Sequence, residues 1–171
     1  QGRAWDLEHG RDEPGNWRAG GEAERAFLKR LGVDDAKFVP VDGSGLSSDD
    51  RVTARLVSDL LLKMTKHEHA SVFRASLSVS GTDGTLDDRL TDLTGLVQGK
   101  SGTIDGVKAL SGYLTTRGGE LLVFSMIFND APPKVERRCA GLLDNACRVL
   151  VEWPAVERAK VNGAGGGATR P

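Results

Sequence analysis

Gly99-Lys100-Ser101-Gly102-Thr103-Ile104-Asp105-Gly106-Val107-Lys108-Ala109-Leu110-Ser111-Gly112-Tyr113 is the stretch on which the reading of the chain turns. Asp105-Gly106 tolerates the positive φ angles of a two-residue hairpin turn, so the segment predicts a strand ending at Ile104 and an antiparallel partner from Val107 to Thr115. Side chains alternate along a strand: Ser101 and Thr103 share one face, and Lys100 and Gly102 point to the other. Gly102 lets another backbone come close. One lysine and two hydroxyls thus stand among small residues at a strand edge, and the chemistry is expected there.

Gly95 and Gly99-Lys100-Ser101 nearly spell a phosphate-binding loop. That motif needs four residues between its glycines, and only Leu96, Val97 and Gln98 lie there. It must also open a helix whose N-terminus holds phosphate, whereas Thr103 to Leu114 is β-branched, glycine-broken and hairpin-like. The nucleotide reading is therefore set aside.

Outward from this segment, 171 residues that are 39% hydrophobic and 27% charged suit one soluble globular domain with a real core. A net charge of −1 gives no electrostatic case for nucleic acid. The longest apolar run, Leu121 to Phe128, is interrupted by Ser125 and is too short to span a membrane. The chain begins at Gln1 without a methionine or a secretory signal, so it reads as a piece of something longer. Cys139 and Cys147 fall in a predicted helix about 12 Å apart along its axis, which excludes a bridge and makes them buried thiols. His67-Glu68-His69 lacks a third ligand at motif spacing and reads as a solvated helix end, so neither metal nor cofactor is expected.

In chain order, Gln1 to Gly20 reads as a surface segment with a short strand or turn near Asn16-Trp17 and Trp17 as a packing anchor. Ala23, Ala26, Phe27 and Leu31 have helical spacing, with Gly32 as the C-cap. Asp42-Gly43-Ser44-Gly45-Leu46-Ser47 is a loop of specified shape, in which Asp42, Gly43, Ser44 and Gly45 are architecture. Ser48, Asp49 and Asp50 are N-cap candidates for a helix with Val52, Leu56, Val57, Leu60, Leu61 and Met64 on its face. Ala70 to Leu77 is a short helix or extended piece, and Gly81 to Leu86 is a second turn cluster. Leu121 to Phe128 is so apolar that it fits a central strand covered on both faces. Pro132-Pro133 opens a helix with Val135, Cys139, Leu142, Leu143, Ala146 and Leu150 on one face. Residues 161–171 form a flexible, glycine-rich tail. Helices, an antiparallel meander and a covering helix make the class α+β, an antiparallel sheet flanked by helices.

Three stretches taken together resemble one family. Val41-Asp42-Gly43-Ser44-Gly45-Leu46-Ser47, Ser80-Gly81-Thr82-Asp83-Gly84-Thr85-Leu86, and Gly99 to Val107 with Ala109-Leu110-Ser111-Gly112-Tyr113 are similar to the C-terminal part of the D-alanyl-D-alanine carboxypeptidase/endopeptidases of peptidase family S13, the class C low-molecular-mass penicillin-binding proteins. The likeness runs from about Trp17 to about Val149 in the family's order and spacing. It implies that residues 1–160 are the C-terminal portion of a penicillin-binding domain of the serine β-lactamase/transpeptidase-like fold. In that family Ser-x-x-Lys, Ser-x-Asn and Lys-Thr-Gly make the active site. Lys100-Ser101-Gly102 stands at the Lys-Thr-Gly place, with serine keeping the hydroxyl and losing a methyl. Neither other motif occurs from Gln1 to Pro171, and the family places both upstream of the Asp-Gly-Ser-Gly-Leu loop. Ser48 stands where the family often has arginine.

The resemblance implies acyl transfer, in which a serine attacks the D-Ala-D-Ala bond of a peptidoglycan stem peptide and water releases the acyl-enzyme. It gives Lys100 the catalytic charge, and gives Ser101, Gly102 and Thr103 the substrate, which pairs as an added strand. The Thr103 N–H would join that of the acylated serine in an oxyanion hole, and the Ser101 and Thr103 hydroxyls would hold the terminal carboxylate. Stem peptides and, as covalent inhibitors, β-lactams are the implied partners, and a periplasmic or extracytoplasmic location follows. The alternative is a non-catalytic relative or fragment that binds peptidoglycan or a partner by the same edge. An unpaired sheet edge is also expected, because strands from the chain's N-terminal end complete the family's sheet.

Overall fold

The computed structural model describes residues 16–163, without the side chains of residues 133, 134, 136, 137 and 154–163. The chain divides into two compact units, one up to His67 and one from Glu68.

In the first unit, helix α1 (Trp17–Leu31) is capped by Asn16, whose side chain accepts from the Ala19 amide at 2.9 Å. It ends at Gly32, whose φ of +68° lets the Gly32 and Val33 amides return to the Lys29 and Leu28 carbonyls. The helix begins four residues before the predicted start at Gly21, so Asn16-Trp17 is a helix start rather than a strand or turn. Trp17 is 70% exposed and anchors no packing. Gly20-Gly21 hides this start because glycine is a poor helix former. A side chain at Gly21 would meet Pro40 Cγ at 3.0 Å, so a close contact accounts for the glycine there.

Helix α2 (Ala54–Met64) is capped by Thr53, whose hydroxyl accepts from the Leu56 amide at 3.1 Å. Ser48, Asp49 and Asp50 are not its caps. They lie in the preceding loop, and the Asp50 carboxylate is engaged there with the Val41 amide at 2.7 Å. A bridge between Val39 and Arg51 closes that loop and puts Val52 outside the helix, 43% exposed. Leu28, Val33 and Leu56 form the unit's core, with Leu31, Phe38 and Leu60 against it. His67 sets its ring edge-on to Phe27, with centroids 6.1 Å apart.

The second unit opens with α3 (Ala70–Ala75) and builds an antiparallel sheet of β1 (Ser78–Val79), β2 (Val97–Ile104), β3 (Val107–Thr115) and β4 (Leu121–Phe128) in that order. Helix α4 (Pro133–Gly163) follows; the rest of the segment read as a tail, 164–171, lies outside the described residues. Asp105-Gly106 makes the predicted hairpin, Gly106 with φ +71°, and pairs Ile104 with Val107.

One sheet face carries Val97, Leu110, Leu114 and Phe124, and α4 covers it with Leu143, Cys147 and Val151. The covering stripe is Cys139, Leu143, Cys147 and Val151, spaced by four, while Leu142 is 54% exposed. Of the expected face, Cys139 and Leu143 are buried and Leu150 packs against the core, while Leu142 turns outward, because Leu142 and Leu143 are equally apolar and only the sheet chooses between them. Both cysteines are free and buried. Burial and the charge of Asp144 push the Cys147 thiol up to about 12, so it remains a neutral, inert thiol.

β4, predicted as a central strand, ends the sheet order, and among the described residues no strand pairs with its outer side. Apart from Phe124 its residues are at most half-buried and Leu121 is exposed, so the apolar run does not mark a strand covered on both faces.

Between Gly99 and Gly112, paired across β2 and β3, the two backbones approach without side chains. A Cβ on Gly112 would lie 2.0 Å from the Gln98 carbonyl oxygen and 2.6 Å from Gly99 Cα. At Gly102 an added Cβ meets only the Ala109 Cβ, at 3.4 Å, an ordinary contact. Thermal unfolding is therefore expected to show Gly112→Ala destabilised by about 3 kcal/mol or more, and Gly102→Ala changed by less than about 1 kcal/mol. Equal effects at the two positions would contradict this packing.

Candidate functional site

Ser80 fixes the outer edge of β2. Its amide donates to the Val97 carbonyl at 2.9 Å, and its buried hydroxyl donates to the Leu93 carbonyl at 2.6 Å and accepts from the Val97 amide at 3.2 Å. Backbone groups alternate sides along a strand, so residues 97, 99, 101 and 103 all face outward with Val97. β1 pairs with β2 only at Gln98 and Gly99. Among the described residues, the outward backbone of Ser101 and Thr103 therefore has no strand partner. Unpaired strand backbone of this kind is a template for another extended chain.

Lys100, Ser101, Gly102 and Thr103 all lie on this open segment. The exposed Lys100 ammonium reaches around the edge and donates to the Ser101 carbonyl at 2.5 Å. The half-buried Ser101 hydroxyl donates to the Thr85 hydroxyl at 2.7 Å. Thr103 is exposed, and Gly102 is paired with Ala109, which leaves the strand thin at that point. On the face shared by Gln98 and Lys100, Arg74 donates to Gln98 Oε1 from Nε at 3.1 Å and from its terminal nitrogen at 2.5 Å. The same guanidinium stacks 5.3 Å from the Tyr113 ring centre. Arg74 on this face and Lys100 at the edge bring two cations to this part of β2, which favours an anionic ligand.

The second group of expected site residues, Asp42, Gly43, Ser44 and Gly45, belongs to the first unit. Asp42 Oδ1 accepts from the Ser44 amide at 2.8 Å, the Gly45 amide at 2.6 Å and the Ser44 hydroxyl at 3.1 Å. Its Oδ2 accepts from the Ser47 amide at 2.8 Å. Gly45 supplies a φ of +74°. Loss of solvent raises the Asp42 pKa, but the bonds from Gly45, Ser44 and Ser47 outweigh it and hold the carboxyl below its ordinary value. Glu24, beside this loop, is shifted upward by burial and then by the charges of Asp50 and Asp42.

Thr85 and Arg74 escape the sequence reading. By its own residues Gly81 to Leu86 signals a turn, its part in the family resemblance assigns Thr85 no role, and nothing local places Thr85 beside a residue sixteen positions later.

A family model described as the D-Ala-D-Ala carboxypeptidase 3 (S13) family matches residues 5–146. A D-alanyl-D-alanine carboxypeptidase from an Actinomadura species is 39% identical over 163 residues, 88% of this chain and 30% of that protein. Penicillin-binding protein 4 (dacB) from Haemophilus influenzae has the same fold, with a TM-score of 0.72 at 24% identity over 81% of this chain and 33% of that one. A structure of the same Haemophilus protein complexed with a β-lactam gives a TM-score of 0.63 at 27% identity, over 68% of this chain and 27% of that one. The chain spans less than a third of the length of the curated relatives it matches.

The Asp42 loop yields a pH prediction. A carboxyl depressed in the folded state contributes stability that is complete above the ordinary aspartate range and is lost as pH falls through its folded value. Unfolding measured between neutral and acid pH is expected to show this loss, and Asp42→Asn is expected to flatten the acid limb while lowering stability at neutral pH. An unchanged acid slope in the variant would remove Asp42 from the cause.

Proposed function

The chain belongs to the D-Ala-D-Ala carboxypeptidase 3 (S13) family, and from that premise we propose that it supplies the substrate-binding strand of a serine-type D-alanyl-D-alanine carboxypeptidase/endopeptidase acting on peptidoglycan stem peptides. The observation that carries this reading is the open outer edge of β2 from Lys100 to Thr103, lined by an ammonium, two hydroxyls and a glycine.

On this reading the extended end of the stem peptide lies against β2 as an added strand, and backbone hydrogen bonds set its register. Gly102 keeps that approach free of side chains. The Ser101 and Thr103 hydroxyls donate to the terminal carboxylate, and Lys100 adds the positive charge that a carboxylate seeks. To do so its ammonium leaves the Ser101 carbonyl, freeing that acceptor for the incoming strand. The Thr103 amide, pointing outward, stabilises the oxygen that becomes negative as the peptide carbonyl turns tetrahedral; losing one such donor costs about 3 to 4 kcal/mol of activation free energy. The attacking serine, with the lysine that activates it, comes from Ser-x-x-Lys supplied outside Gln1–Pro171, and Ser-x-Asn likewise. The acyl-enzyme is then released by water. β-Lactams, whose carboxylate and strained amide imitate the D-Ala-D-Ala end, acylate the same serine.

Such a substrate lies outside the cytoplasmic membrane, so the reading locates the protein in the periplasm or extracytoplasmic space. Among the described residues no helix is long and apolar enough to cross a membrane.

Labelling by a fluorescent penicillin, followed by intact mass, tests the proposal on this chain and on the full-length protein that contains it. The full-length protein is expected to label and the 171-residue chain to stay unlabelled. If neither labels while both are folded, the enzyme reading fails and a strand edge that only binds peptidoglycan or a partner takes its place.

A further inference from the structure

We propose that Thr85 is a positioning residue for Ser101, its hydroxyl directing the Ser101 proton toward a carboxylate bound at the open edge of β2. The inference rests on the substrate-strand reading above and adds a residue outside the Lys100–Thr103 segment to it.

Thr85 is firmly placed. It lies in the one-turn helix Gly84–Leu86, whose Leu86 side chain is fully buried in the sheet's core. The Thr85 amide donates to the Ser78 hydroxyl at 3.2 Å, and the Asp83 carboxylate accepts from the Val79 amide at 2.7 Å. Gly84 takes a φ of +57°, and a side chain there would lie 2.3 Å from the Ser78 hydroxyl. The turn is thus fastened to β1, and β1 pairs with β2 at Gln98 and Gly99, two residues before Ser101. Thr85 is held beside Ser101 by backbone and core and needs no ligand to bring it there. Its own side chain is exposed, and the bond to the Ser101 hydroxyl at 2.7 Å is what its hydroxyl does.

A serine hydroxyl has one proton to give and rotates among three staggered positions. Without a ligand, Ser101 gives that proton to Thr85. A carboxylate is a stronger acceptor than a hydroxyl, so on binding the order reverses: Thr85 donates to the Ser101 oxygen, and Ser101 donates to the carboxylate. No proton is transferred; two O–H bonds rotate and each oxygen still donates once. The aligned pair polarises both bonds, and the serine oxygen stays where Thr85 meets it. Serine lacks the methyl that restricts χ1 in the family's usual threonine, and Thr85 supplies the restriction from outside.

The test uses the full-length protein and compares acylation by benzylpenicillin with acylation by its methyl ester, in which the carboxylate is masked. Thr85→Val keeps the shape and removes the oxygen; Thr85→Ser keeps the oxygen. Thr85→Val is expected to lower the acid-to-ester ratio of acylation efficiencies about tenfold, the worth of one charge-assisted hydrogen bond. Thr85→Ser is expected to hold the parent ratio. A ratio that Thr85→Val leaves unchanged, or that Thr85→Ser fails to restore, overturns the proposal, and so does an equal fall with both reagents, which marks a merely structural role. Ser101→Ala separates the two layers. If it abolishes the acid preference while Thr85→Val leaves the ratio unchanged, only Thr85 is removed. If Ser101→Ala itself leaves the preference intact, or the full-length protein is not acylated, the substrate-strand reading falls and the Thr85 proposal with it.

Discussion

Between β2 and β3 the backbones come closer at Gly99 and Gly112 than any side chain permits, since a Cβ on Gly112 would overlap the Gln98 carbonyl. A strand slipped by one residue would bring side chains into that contact and turn every residue to the opposite face. The Asp105-Gly106 turn sets the same register from the other end. Everything in the second unit follows from this agreement. Val97, Leu110 and Leu114 meet under α4, Gln98 and Lys100 share the face with Tyr113, and the backbone of Ser101 and Thr103 looks outward.

That register is stabilised mostly by apolar burial. Leu110, Leu114, Val97, Cys147 and Val151 are all fully buried, each worth on the order of 1 to 3 kcal/mol relative to exposure. Charged pairs contribute orientation. Arg89 meets Asp144 at 2.6 Å with both side chains mostly shielded, and Arg148 meets Asp92 at 2.7 Å in the open, so the two turns after β1 are tied to α4. The exposed pair is worth little by itself. Asp144 and Arg148 are four residues apart, so both pairs meet α4 on one side.

The two glycine-rich loops serve different ends. In the first unit, Asp42 gathers four donors onto one carboxylate, which defines the loop without any core of its own. In the second, Gly84 makes room for Ser78, and the turn it permits carries Thr85 to the edge of β2. The chemistry assembled at that edge is simple: a cation, donor hydroxyls and outward backbone groups. Our proposal that it receives an extended chain ending in a carboxylate takes its premise from the family to which the chain belongs.

The sequence alone was enough for the local features whose cause is local. Asp105-Gly106 announces a hairpin because Gly106 accepts a φ of +71° that a side chain resists, Gly32 ends α1 for the same reason, and the spacing of Cys139 and Cys147 on one helix forbids their bridging. The order of motifs around Asp42, Gly81 and Lys100 was likewise sufficient to name the family. Tertiary structure decided whatever depends on residues distant in the chain. Trp17 is exposed although its type favours packing, Thr53 rather than Ser48, Asp49 or Asp50 caps α2, and Leu143 rather than Leu142 faces the sheet. β4 lies at the end of the sheet order although its apolar run looks central, and Thr85 stands against Ser101 with no pattern to announce it. Propensity and periodicity report what a residue tolerates; which neighbour it meets is set by how strands and helices pack, and that is not written in any window of the chain.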